Sequence, residues 1–211
     1  MLKSVAPLLL LLALAEGFRP LPAIAQISDD SEITPFVGMR AGGSFRDDLT
    51  STEMEIRPSA GFGLMLDLPW EENSKLEIYL SRQPTRVKSG NAAGGSPGFD
   101  LNVEYYHIGG TVTLEKIRDF DNYLVATIGV TRLDPEGGTL DPETRPSFSI
   151  GLGSKYLLSE RIRLRIEGRA FATAMSSDSS IFCNLPGACE IKVKSDTLVQ
   201  WEASLGLSFA F

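Results

Sequence analysis

The sequence is poor in residues that hold metals or run acid–base chemistry. Its 211 residues include one histidine, His107, and two cysteines, Cys183 and Cys189. A metal centre built from Cys and His has too few ligands here, so neither a metal nor a cofactor is expected. Cations are also in deficit, with 20 Lys and Arg against 27 Asp and Glu and a formal charge of -7. Phosphate backbones call for a basic patch, so nucleic acid is excluded as a partner. After the N-terminus no stretch supplies the roughly 20 apolar residues of a spanning helix.

The N-terminus itself has the pattern of an export signal. Lys3 precedes a leucine-rich core from Val5 to Ala15, and Ala23-Ile24-Ala25 is a small-x-small site before Gln26. Residues 1–25 are therefore expected to be a cleaved signal peptide, with 26–211 as one mature domain. In an exported chain, two cysteines around Pro186-Gly187 predict a structural disulfide, Cys183–Cys189, that sets the shape of one loop.

What the chain does have is alternation. From Thr197 to Phe211, every second residue is apolar or small: Val199, Trp201, Ala203, Leu205, Leu207, Phe209 and Phe211. The intervening face carries Gln200, Glu202, Ser204, Gly206 and Ser208. A period of two is that of a strand, with one face continuously apolar. Trp201 and Phe211 sit ten residues apart on that face, which on a tilted strand spans about 25 Å, the height of a lipid-facing band with aromatic rims.

Seven further segments alternate in the same way, so the predicted strands run over about 33–45, 54–68, 75–83, 101–114, 122–132, 147–157, 161–173 and 197–211. Long connections, such as 84–100, 133–146 and 174–196, trade places with short ones, such as 69–74 and 158–160. The prediction is an all-β fold, an eight-stranded antiparallel transmembrane up-and-down β-barrel with both termini on the periplasmic side. A soluble lipocalin-like barrel would instead need the apolar faces inside. Trp70, Tyr156, Trp201 and Phe211 are the expected interface aromatics.

With these features the chain resembles the small eight-stranded outer-membrane barrels: the transmembrane domain of outer-membrane protein A, the OmpX/Ail group and the opacity-like proteins. The most specific motif is the terminal GLSFAF at 206–211. In that family it resembles the signal read by the barrel-assembly machinery, which assigns that role to Phe209 and Phe211. The resemblance implies the outer membrane of a diderm bacterium, contact with its lipids and lipopolysaccharide, and a monomer.

The predicted inward faces collect charge: Arg40, Arg57, Lys155, Arg161, Arg163, Arg165 and Arg169, with Asp67, Glu77, Glu167 and Glu202. An eight-stranded barrel has an interior just wide enough for its own side chains. Charges there persist if paired, which makes the set an ion-pair plug; the alternative is a narrow, arginine-lined path for small anions. Enzymes on such barrels, the lipid A deacylases and palmitoyltransferases, would require a histidine with serine and an acid at a rim. His107 is followed by Ile108-Gly109-Gly110, so no catalysis is expected. The expectation is envelope integrity with presentation of outer loops, against two alternatives: the anion channel, and an adhesin or host-interaction surface binding an extracellular ligand.

Overall fold

The structure, a computed structural model, describes residues 31–46, 53–89, 98–137, 141–175, 180–184, 188–192 and 197–211. The expected signal peptide, 1–25, lies outside the described residues. All regular structure among them is β: β1 (Glu32–Gly42), β2 (Ser44–Arg46), β3 (Glu53–Ile56), β4 (Ser59–Glu71), β5 (Ser74–Ser89), β6 (Asp100–Thr113), β7 (Phe120–Pro135), β8 (Glu143–Ser159), β9 (Ile162–Ala174), β10 (Ser180–Asn184), β11 (Ala188–Lys192) and β12 (Thr197–Ala210).

Eight of these, β1, β4 to β9 and β12, form a closed antiparallel wall. Closure comes from β12, which pairs with β9 on one side and β1 on the other, and from β5, which pairs with both β4 and β6. Among the described residues every strand of this wall has a paired neighbour on both sides, as a closed sheet requires. The stagger follows from the registers. Stepping from Lys75 through Thr111, Val125, Gly151, Arg169, Glu202 and Arg40 ends on Ser59, whereas Lys75 pairs directly with Pro69, a stagger of 10 residues. A shear of that size tilts the strands by roughly 40°.

The two faces separate by side-chain chemistry. Each wall strand turns an apolar residue outward, among them Val37, Phe62, Leu80, Ile108, Ile128, Ile150, Ile166 and Leu205. Val37 is 63% exposed, Ile128 68% and Trp201 64%, whereas the intervening Arg40, Asp67 and Glu77 are 0% exposed. A continuous apolar exterior around a charged interior suits hydrocarbon and is the inverse of a lipocalin. Trp70, Tyr156 and Phe211 lie outward at the end with the short turns, where Tyr156 packs on Phe120 with ring centroids 5.3 Å apart; Trp201 lies outward toward the other end.

Several boundaries differ from the sequence reading, mostly at the long-loop end. There β5 continues to Ser89 and β7 to Pro135, because their inward faces are apolar and pack together. Val87, Leu101, Val103 and Leu133 form a buried cluster with Met54, Ile56, Met175 and Leu198. The first strand is broken at Gly43, whose φ of +95° favours glycine, and the second at Arg57-Pro58. This second break shifts the alternation, so Ile56, expected outward, is buried and Arg57, expected inward, is exposed. In the last long loop β10 and β11 form a hairpin with Cys183 opposite Cys189 in register; their side chains lie outside the described residues.

Glycines on the inward face leave room for large neighbours. At Gly153, a Cβ would collide with the ring and hydroxyl of Tyr123. Gly153→Val is expected to destabilise the barrel by about 1–3 kcal/mol through overpacking, read as a lower midpoint in denaturant unfolding. An unchanged midpoint would mean that Tyr123 has somewhere else to go.

Candidate functional site: the filled lumen

Strand β9 supplies the spine of the interior. Arg163, Arg165, Glu167 and Arg169 alternate with Leu164, Ile166 and Gly168, so period two puts all four in one inward row. Their partners come from across the barrel. At the short-turn end, both oxygens of Glu32 are engaged, with Lys75 Nζ at 2.7 Å, Arg163 Nη1 at 2.9 Å and Lys155 Nζ at 2.5 Å. Lys155 also reaches Asp67 at 3.0 Å. One layer further in, Arg165 donates to Asp67 at 2.7 Å, Glu77 at 2.5 Å and Glu167 at 2.7 Å, and its Nε donates to the Tyr123 hydroxyl at 2.6 Å. Arg169 joins Glu77 at 2.8 Å and Glu167 at 2.6 Å, with its guanidinium 4.3 Å above the Tyr79 ring.

Above this mesh sits a separate pair. Arg40 donates to Glu202 and Ser81, while the Tyr79 hydroxyl donates to Glu202 at 2.7 Å. The Arg40 guanidinium lies 4.6 Å from the Tyr105 ring centre and 5.0 Å from that of Phe171. A desolvated guanidinium between aromatic faces gains from the ring quadrupoles as well as from its carboxylate. Gln83 and Gln200 cross the barrel next, at 3.4 Å, and the Tyr105 hydroxyl donates to Gln200 at 2.8 Å. The apolar cluster of Leu101, Val103, Leu133 and Leu198 then closes the long-loop end.

Of the residues expected in the lumen charge set, the interior brings together Arg40, Asp67, Glu77, Lys155, Arg163, Arg165, Glu167, Arg169 and Glu202. Two are corrections. Arg57 is turned out by the Pro58 break, and Arg161 lies exposed in the short turn between β8 and β9, ahead of the inward row. Sequence reasoning left out Glu32, although it stands two residues before the inward Thr34, and omitted Lys75 from the charge set. The inward aromatics Tyr79, Tyr105, Tyr123 and Phe171 were likewise not assigned to the site.

His107 is enclosed in this interior. Its two ring nitrogens lie 2.9 Å from Thr127 Oγ1 and 2.8 Å from Ser147 Oγ, and Thr127 in turn meets Ser149 at 2.6 Å. Among the described residues the buried imidazole bonds to hydroxyls and to no carboxylate, and it holds a hydrogen-bond chain inside the wall. Among the described residues no cluster of His, Cys, Asp and Glu is arranged to hold a metal.

A closed, sheared ring with apolar skin and charged filling defines a small eight-stranded transmembrane barrel of the outer-membrane type. No protein family and no curated relative matches the sequence. Solved structures do match in fold. Neisserial surface protein A is 11% identical, with a TM-score of 0.62 over 87% of this chain and 98% of that one. The outer membrane protein OprG from Pseudomonas aeruginosa is 12% identical, with a TM-score of 0.55 over 89% and 98%. The outer membrane protein AlkL, determined in lipid bilayers, is 16% identical, with a TM-score of 0.53 over 92% and 96%.

Proposed function

We propose that the protein is a monomeric, non-catalytic barrel of the diderm outer membrane that contributes to envelope integrity and presents its long loops outward. The observation that carries this reading is the filled lumen. An ion-pair mesh, an arginine–aromatic layer and an apolar cluster succeed one another along it, so the surfaces left for work are the lipid-facing wall and the loops. The short-turn end, with both Glu32 and Phe211, faces the periplasm; the Cys183–Cys189 disulfide closes the hairpin of the largest outer loop. Phe209 and Phe211 act as the assembly signal, so deleting Phe211 slows insertion in cells and leaves refolding of purified protein unchanged. Normal insertion of that variant would remove the signal assignment.

The test is a deletion strain challenged with detergent and with large antibiotics that an intact outer membrane excludes. Sensitivity is expected, with rescue by the full chain and by a chain lacking 176–194. A deletion without effect on permeability overturns the integrity reading. Rescue by the full chain alone would shift the work to the loop and to an extracellular ligand. One observation favours an anion path as the second reading: Arg163, Arg165 and Arg169 stand in one inward row of β9 along the lumen.

A further inference from the structure

The β4–β5 side of the barrel wall lapses toward the long-loop end. The β4–β5 ladder runs as far as Phe62–Arg82, and pairing resumes between β3 and β5 at Ile56–Val87. Between them residues 57–60 face 83–86, and each stretch carries a proline, Pro58 or Pro84, with no N–H to donate to a ladder. The Arg57 N–H donates to the Arg86 carbonyl at 3.0 Å, Thr85 Oγ1 to the Arg57 carbonyl at 2.7 Å, and Gln83 Nε2 to Ser59 Oγ at 2.9 Å. What remains is an outward cleft of about 410 Å³ whose charged lining is Arg57, Arg86, Asp100 and Glu136.

These charges are not equally engaged. Arg86 donates to both Asp100 oxygens, at 2.8 and 3.1 Å, so this pair neutralises itself. Glu136 accepts from Asn102 Nδ2 at 2.8 Å. The Arg57 guanidinium, turned outward by Pro58, has no ion pair or side-chain hydrogen bond among the described residues. Below the cleft on the same outer face stands Arg82, held by Asn102 at 3.2 Å and Glu104 at 3.8 Å, followed by Phe62, its partner in register, and Leu80, both exposed apolar side chains. A lipid whose chains lie on Phe62 and Leu80 points its headgroup past the engaged Arg82 toward Arg57.

We infer that this cleft is a lipid site, in which Arg57 takes a phosphate of an outer-leaflet phosphoglycolipid whose acyl chains lie on Phe62 and Leu80. The inference rests on the outer-membrane reading above. Glu136 is the opposing charge at the cleft, so the site predicts opposite signs for two substitutions.

The experiment measures adducts of diphosphorylated lipid A on the refolded full chain by native mass spectrometry, after a heat-dependent gel shift has established folding. Arg57→Ala should weaken binding about tenfold, the loss of one charge-assisted contact, and Glu136→Gln should tighten it. Arg161→Ala, an exposed arginine at the opposite rim, should change nothing. Dephosphorylated lipid A should bind no better than to Arg57→Ala, and millimolar inorganic phosphate should not compete. Equal binding by Arg57→Ala and the parent chain, or by dephosphorylated lipid, overturns the site, as does full competition by free phosphate. A chain that folds and inserts but fails these arms loses the cleft assignment alone, whereas a chain that does not insert fails the outer-membrane reading.

Discussion

Replacing Arg165 with methionine should cost about 3–5 kcal/mol of stability, the penalty for leaving buried carboxylates without their cation. Arg165 is 1% exposed and touches Asp67, Glu77 and Glu167 at once. Methionine fills much of the same volume, so the loss reports charge rather than a cavity. Arg163→Met is the matched control, because its side chain is 24% exposed and it meets a Glu32 already held by Lys75 and Lys155. Solvent screens that site, and the expected cost stays below about 1 kcal/mol. Equilibrium unfolding in urea, from detergent or lipid, reads both. Equal and small losses would mean that water reaches the middle of the barrel and that the ion-pair mesh is open.

Leu205→Arg should be the most damaging change on the outer face. Leu205 points outward between Trp201 and Phe211 and so lies near the midplane of the lipid-facing band. A cationic side chain there costs about 2–4 kcal/mol, and the penalty falls to about 0–1 near an interface. Val199 lies on the same face of β12, beyond Trp201 toward the long loops. Val199→Arg should therefore be nearly silent in the same unfolding assay. The contrast depends on the tilt, the stagger and the direction of each side chain, so similar costs at both positions would break the assigned register.

Much of this was legible in the sequence because hydrocarbon imposes a simple code. On β12 and β9 the apolar face must be lipid-facing and the polar face interior, so Leu205 and Arg165 could be placed from period two alone. The same code failed where the barrel continues past the lipid-facing band. There Val87, Leu101, Val103 and Leu133 are apolar and inward, filling the lumen with hydrophobic side chains that alternation alone would assign to lipid. Arg57 was misplaced for a different reason. Pro58 interrupts the strand, and a break of one residue moves every side chain beyond it to the other face. The ion pairs themselves were out of reach. Glu32 meets Lys155 and Arg163 across more than a hundred residues of chain, and only the closed ring and its stagger of 10 bring them to one level.

The central claim is that the barrel is filled and does its work on the outside. Planar-bilayer recording from residues 26–211, refolded and checked for a heat-dependent gel shift, tests it most directly. The account predicts a folded, inserted protein that passes no discrete current. Steady steps preferring anions, altered in Arg165→Met, would contradict it and make the arginine row of β9 a pathway.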